Sequence, residues 1–589
     1  MESGVTFSSD SKEDIPPIPS PDKRASVSEP RTPIERAVHG IWQSLLNREQ
    51  IDVNEDFFTA GGTSEIADSL VEQLCGVFLL NLSVDCLFTN PTISGQAACI
   101  EQARASTKRK NPAIVPAPRS DRMALSFSQQ RLWFFDQLVP GSPLYNNTLA
   151  IHITGPINLF ILERSLNELI RRHEALRTVF KSDQGQAFQV ILPSLTIPLP
   201  QVDLQALLPD QRQERTDELY QEESQQPFDL QNGPLIRAKI LKLEPEKSIF
   251  FLTIHHIICD GWSVGIITSE INTLYSAYAN QQVSPLPELP IQYVDFSHWQ
   301  HQRLQGELLE NLVRFWQKEL ADTPTSLNLL TDRPRPAAAS FRGDFYDFSL
   351  PASLVLELKQ QSRSHGSTLF MILLAAFFTL MYQYSGQEKF CIGSPIANRT
   401  RAEFETLIGL FINMLALRAD LSGAPTFEDL LQQVKETTNQ AYAHQDLPFE
   451  LLVEKLRPKR SPNRTPFFQV MFILENFKLN PLMLPGLDTQ LSDINTHTAK
   501  FDLSLYVLEQ SNGSLTCKME YSTDLYETET IAQMCSLYQA ILEEVVEDPR
   551  RQILEILQSA LNVNVSSHKG DYSNKLLNST DDEREDFLI

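Results

Sequence analysis

Apolar positions recur along this chain with two different periods, and the alternation between them predicts its elements. Ile34, Ala37, Val38, Ile41, Trp42 and Leu45 repeat at helical spacing, with Thr32 suited to a cap and Pro33 to the first helical position. The stretch DFFTAGGTSEIADSLVEQL (56–74) predicts a glycine loop and then an amphipathic helix with Ile66, Ser69, Leu70 and Leu74 inward. From Met123 the style changes. Strand-like runs at 148–154, 186–192, 235–243 and 249–257 alternate with amphipathic helices at 158–172, 209–225 and 263–279. The second half predicts helices at 351–365 and 367–384, strands at 389–393, 411–419, 467–475 and 502–509, and a long helix at 528–547. The longest apolar run, LFMILLAAFFTLMY (369–382), is 14 residues and too short to span a bilayer.

Polar stretches punctuate this pattern. Residues 1–31, rich in Ser, Pro and charge, predict a disordered leader. STKRKNPAIVPAPRSDR (106–122) lacks periodicity and predicts a linker that lets the preceding unit swing. From residue 551 the chain turns polar again, to end in DDEREDFLI (581–589).

Composition narrows the picture. At 589 residues the length prior allows roughly four domains or fewer, larger ones. A hydrophobic content of 42% supports sizeable cores, and a formal charge of −24 argues against a nucleic-acid partner. The seven cysteines (Cys75, Cys86, Cys99, Cys259, Cys391, Cys517, Cys535) form no CxxC pair and suit buried small apolar roles in a reducing compartment. With no apolar signal segment at the start, the expectation is a cytoplasmic protein with no membrane partner.

The chemistry concentrates in FFLTIHHIICDGWS (250–263). Alternation along a strand would send His255 and His256 to opposite faces, so one imidazole lines a cavity and metal binding by both is disfavoured. A bare His-His pair is most simply two core histidines. The full HHxxxDG pattern favours a site: one imidazole takes a proton, Asp260 fixes the turn behind it, and Gly261 lets backbone approach closely.

HHIICDG resembles the active-site motif of condensation domains of nonribosomal peptide synthetases, relatives of chloramphenicol acetyltransferase. The other blocks of that family follow in order: LSFSQQRLWFFDQL (125–138), PGSPLYNN (140–147), RHEALRTVF (172–180), PFDLQNGPLIRA (227–238), YVDFSHWQ (293–300), IGSPIANRTR (392–401), LIGLFINMLALR (407–418), HQDLPFE (444–450) and RSPNRTPFFQ (460–469). Upstream, the glycine loop resembles the acceptor site of a peptidyl carrier protein, DxFFxxGGxS. Alone, Ser64 would most simply be a helix N-cap. The resemblance implies that it carries 4′-phosphopantetheine, attached by a separate phosphopantetheinyl transferase. Glu65 departs from the family, which usually places an aliphatic residue after the serine.

The resemblance implies a fold class: a small four-helix carrier bundle followed by an α/β two-lobed, chloramphenicol acetyltransferase-like condensation domain, a V-shaped pseudo-dimer. Its expected bounds are carrier 32–105, linker 106–122, N-lobe 123–290, C-lobe 291–555 and a polar tail 556–589. The implied reaction is amide-bond formation between a carrier-bound thioester and an amine. His256 would accept or steer the amine's proton, and Gly261 would offer its backbone amide. Asp260 would pair with Arg399 to hold the loop, and His255 would support from a buried position. Arg172, Arg177 and Trp262 are further supporting residues. An epimerisation relative, an ester-forming or terminal-releasing one, and a non-catalytic recruitment platform are the alternatives. Amino-acid activation is expected from an adenylation domain in trans. Residues 581–589 are expected to recruit a downstream carrier or another synthetase protein.

Overall fold

The computed structural model describes residues 30, 32–46, 48, 51–63, 66–67, 70–71, 73–74, 89–110, 114–459, 463–475, 482–492 and 495–567. The predicted leader apart from residue 30, Ser64, Glu65 and the terminal segment 581–589 lie outside the described residues. The chain divides into two compact units, residues 1–113 and 114–589.

In the first unit, the helices Pro33–Leu46 and Ile93–Lys110 enclose a core of Val38, Trp42, Ile51, Val53, Phe57, Leu70, Ile93 and Ile100. The Trp42 indole meets the Phe57 ring edge-on at 5.0 Å and donates to Gln96 Oε1 at 3.0 Å, so its one polar atom is satisfied inside the core.

Among the described residues, the second unit holds thirteen strands. In chain order they are β1 (Asn146–Thr154), β2 (Thr178–Asp183), β3 (Gln186–Ile191), β4 (Gln201–Asp203), β5 (Ile236–Glu244) and β6 (Lys247–His255). There follow β7 (Gly343–Leu350), β8 (Lys389–Ile396), β9 (Asn413–Asp420), β10 (Val470–Glu475), β11 (Asp488–Ser492), β12 (Leu503–Glu509) and β13 (Leu515–Ser522). One sheet runs β11-β1-β6-β5-β4, another β7-β13-β12-β10-β8-β9, and β2 pairs with β3 as a hairpin. The predicted elements correspond closely to observed ones. The helices Pro209–Gln225 and Thr528–Glu547 coincide with expectation to the residue. Helix Leu369–Ser385, apolar all round, lies in the larger core between a Thr368 N-cap and a left-handed Gly386. No single helix among the described residues is long and apolar enough to cross a membrane.

Four expectations are corrected. The division at 290/291 is not a clean cut. Phe404, Leu407, Ile408, Leu410, Phe411, Leu482 and Leu484 pack into the core of the first sheet, and β11 pairs antiparallel with β1, Ile151 opposite Leu491. An edge strand left bare would expose a ladder of unpaired amides, and the later part of the chain returns to cover it. The linker is anchored through its second half: the Ala117 amide donates to Asp295 Oδ1 at 2.8 Å, and Arg119 pairs with the same carboxylate at 2.6 Å. The polar tail begins later than expected, because helix Ile553–Ser567 buries Ile553, Ile556, Leu557 and Ala560 against the larger core. Finally, Cys259, Cys391, Cys517 and Cys535 are free and buried, whereas Cys99 is disulfide-bonded.

Candidate active site

Strand β6 carries its apolar run into the first core and stops at His255, whose Nδ1 accepts the Ile257 amide at 3.1 Å and so folds the chain into a short turn over His256–Ile258. The strand therefore ends before alternation can separate the two histidines. Both rings lie near Tyr145, with centroids 6.4 Å (His255) and 6.3 Å (His256) from it, and His256 belongs to the turn, so strand alternation, on which the opposite-face expectation rested, does not extend to it. Burial separates them instead. His255 is buried with the Phe228 ring 5.9 Å away, and His256 is half-buried.

Hydrogen bonding fixes a different tautomer in each ring. His255 accepts at Nδ1, so its hydrogen sits on Nε2. His256 Nδ1 lies 2.7 Å from the Cys259 carbonyl, which only accepts, so Nδ1 carries the hydrogen and Nε2 keeps its lone pair. Burial pushes the His255 pKa down to about 3, with the His256 and Lys500 charges adding to it. Burial, then the Lys500 ammonium, pushes His256 down to about 4 against the opposing pull of the Cys259 carbonyl and Asp260. His256 is a neutral imidazole with a bare Nε2, a proton acceptor by construction.

Asp260 anchors this turn. It caps helix Gly261–Ala279, its Oδ1 accepting the Ser263 amide at 2.9 Å, the Ser263 hydroxyl at 2.7 Å and Arg399 Nη2 at 3.0 Å. Its Oδ2 accepts the Phe411 amide at 3.0 Å. Arg399, itself buried, donates to the carbonyls of Phe404 and Leu407 and stacks 4.1 Å over the Phe411 ring. Gly409 completes the junction: a Cβ there would overlap the Tyr293 ring, so only glycine lets this segment approach. Gly261 is exposed at the first position of the helix, and Trp262 donates to the Glu405 carbonyl at 3.0 Å from a partly exposed position.

Two predicted residues are elsewhere. Arg172 is buried with Glu270 at 3.1 Å, where His173 also meets that carboxylate at 3.0 Å, and so ties helix Leu159–Arg172 to the middle of helix Gly261–Ala279. Arg177 donates to the Leu192 carbonyl and holds the β2–β3 hairpin. Conversely, sequence reasoning missed Arg131, Glu450 and Lys500. Arg131 pairs with Glu450 at 3.3 Å, and the Lys500 ammonium sits 5.3 Å from the Tyr145 ring centroid. Arg131, Tyr145 and Glu450 lie within blocks of the family pattern, whose shared destination was the available signal. Lys500 lies in none.

In the first unit, the Thr63 Oγ1 accepts the Ile66 amide at 3.3 Å just after the glycine loop. A Cβ on Gly62 would overlap the Phe57 ring, and Gly61 has φ +111, so bare backbone is required ahead of the serine. This loop fits a covalently attached arm, which needs an acceptor hydroxyl and clear surroundings. Among the described residues, no group of His, Cys, Asp and Glu could hold a metal ion.

Two family models match, "Condensation domain" over residues 119–560 and "Phosphopantetheine attachment site" over residues 36–100. A linear gramicidin synthase of Brevibacillus parabrevis is 43% identical over 92% of this chain and 7% of its own length. Malpinin synthetase of Mortierella alpina is 39% identical over 91% of this chain and 7% of its own. The chain thus spans under a tenth of these relatives. Among solved structures, the X-domain from teicoplanin biosynthesis superposes with TM-score 0.70 at 26% identity, over 75% of this chain and 99% of that one.

Proposed function

The chain belongs to the condensation domain family, and from that premise we propose that its site joins a carrier-bound acyl thioester to an acceptor amine. The observation that carries the reading is the turn at 255–260, which fixes His256 with Nδ1 protonated and Nε2 bare.

The amine nitrogen attacks the thioester carbonyl carbon. A carbon–nitrogen bond forms, the carbon–sulfur bond breaks, and the sulfur leaves as thiol. An α-amino group has a pKa of about 7.7–8.0, so much of it arrives protonated and unreactive. His256 Nε2 accepts or steers the proton released as the nitrogen becomes an amide, help typically worth about 10²–10⁴-fold. Asp260 and Arg399 keep the turn and the 404–411 segment in register, so the imidazole meets the nitrogen in one orientation. A 4′-phosphopantetheine arm on Ser64 supplies the thiol that holds the acyl group. Residues 36–100 form its carrier domain, for which we propose the small helical bundle of that family.

The attachment domain implies a phosphopantetheinyl transferase and synthetase partner domains. We propose adenylation in trans and recruitment of a downstream carrier through residues 581–589. The intact HHxxxDG turn favours condensation over a recruitment platform. The test loads Ser64 with a labelled aminoacyl-pantetheine, supplies amine and alcohol acceptors, and follows the carrier by intact mass. Acyl loss that requires both an amine and His256 supports the reading; amine-independent loss, or equal rates in His256→Ala, overturns it.

A further inference from the structure

The second half of the domain contributes a cation to Tyr145, the aromatic neighbour of both histidines. Lys500 lies between β11 and β12, and its ammonium rests 5.3 Å from the Tyr145 ring centroid. The Tyr145 ring is 6.3 Å from that of His256 and is wedged edge-on by Phe135 at 5.2 Å. Asn146, the next residue, stands opposite His255 in the β1–β6 register, so this aromatic wall is fixed to the same strands as the histidines. We propose that Lys500 is a positioning residue that shares the Tyr145 ring with His256 and keeps the His256 imidazole neutral. This rests on the reading that His256 handles the acceptor's proton.

The neighbours of each group make the cation effective. Lys500 faces Glu520, Arg131 and the Tyr145 ring. Glu520 is buried, its carboxyl accepting the Ser504 hydroxyl at 3.0 Å. Burial pushes Glu520 upward, so the counter-charge it offers is weakened. Arg131 is engaged by Glu450 at 3.3 Å and adds a like charge near Lys500. His256 in turn faces Lys500, Asp260, His255 and Tyr145. Of these, Asp260 would favour a charged imidazole, but its oxygens are already occupied by Arg399, Ser263 and the Phe411 amide. His255 cannot charge without losing the Ile257 amide. Among the described residues, Lys500 is the charge that disfavours a protonated His256, and burial lowers the pKa of Lys500 itself. The same field disfavours a second cation, so an acceptor amine is better held there free than protonated.

The experiment is a proton titration that needs no turnover, so it can fail independently of the condensation reading. The His256 ring signal of the phosphopantetheinylated full chain, identified by its absence in His256→Asn, is followed by NMR with ¹³C-labelled histidine. Wild type is expected to show no His256 titration between about pH 5 and 7, where an ordinary histidine titrates. Lys500→Met should raise the proton affinity of His256 about tenfold, moving its midpoint up by about one unit. Lys500→Arg, which keeps the charge, should behave as wild type, and Glu520→Gln should not raise the affinity. If the methionine variant does not fold, Lys500→Gln provides the same neutralisation. A folded neutral variant with the wild-type midpoint overturns the proposal. So does an arginine variant that titrates like methionine, a rise in Glu520→Gln, or a wild-type midpoint near the ordinary histidine value.

Discussion

Replacing Asp260 by Asn removes one charge and little volume, and its consequences can be worked through atom by atom. The carboxylate accepts four hydrogen bonds, three at Oδ1 and one at Oδ2. An amide has one oxygen. Turned to keep the Ser263 and Arg399 bonds, it presents its NH₂ to the Phe411 amide, and two donors then face each other in a buried site. Turned the other way, it loses three bonds. In either orientation Arg399, 4% exposed, is left as an uncompensated buried cation. Stranding such a charge costs about 3–5 kcal/mol, and orphaning a buried amide about 1–3 kcal/mol. For a cooperative unit of roughly 450 residues, each kcal/mol moves Tm by about 1 °C, so the expected fall is about 4–8 °C. Activity should fall as well, because the Cys259 carbonyl that orients His256 immediately precedes this cap. The assay is calorimetry with a double-mutant cycle. Asp260→Asn combined with Arg399→Met should lose less stability than the two singles together, by at least about 1 kcal/mol. An unchanged Tm for Asp260→Asn, or an additive cycle, would refute this account. Lost activity at unchanged Tm would instead place Asp260 in the chemistry.

Ser64→Ala should fold and take up no pantetheine arm, and intact mass after incubation with transferase and coenzyme A checks it; an arm on the variant means another acceptor. His256→Ala should lower condensation by about 10²-fold or more at unchanged Tm. His255→Ala should act through stability, since it opens a cavity beside Phe228 and frees the Ile257 amide; reversed effects at equal folding would contradict the burial assignment. Acid should destabilise the second unit through these rings. Their folded pKa values, about 3 and about 4, lie below the unfolded value of about 6.5, so below that value the unfolded chain binds more protons. Stability is therefore full above about pH 6.5 and falls toward pH 4, by up to about 1.4 kcal/mol per pH unit for the buried His255. Urea midpoints across that range test the slope, which should shrink in His255→Ala provided the variant folds.

The amino-acid pattern alone established much of this protein. Periodicity located β1, β5 and the helices Leu159–Arg172 and Thr528–Glu547, each of which buries one face, while β6, buried on both faces, was legible as a continuous apolar run. Periodicity was weaker where burial is partial or the element short, as in β7 and helix Phe449–Leu456, and the helix Ile553–Ser567 was hidden inside a polar tail. The chemistry was legible as residue types: two histidines, an aspartate and its arginine partner stand in a pattern that few structural roles require. Their arrangement was not. Where β6 stops, the His255 Nδ1 accepts the Ile257 amide and the Asp260 network holds the turn, and both rings end near Tyr145. Lys500 and Tyr145 are 355 positions apart, and no local pattern links them. Local sequence records the face an element buries; which distant element covers it is fixed only when the returning segments close, 404–411 on the turn's Asp260 and 482–492 on the first sheet at β1.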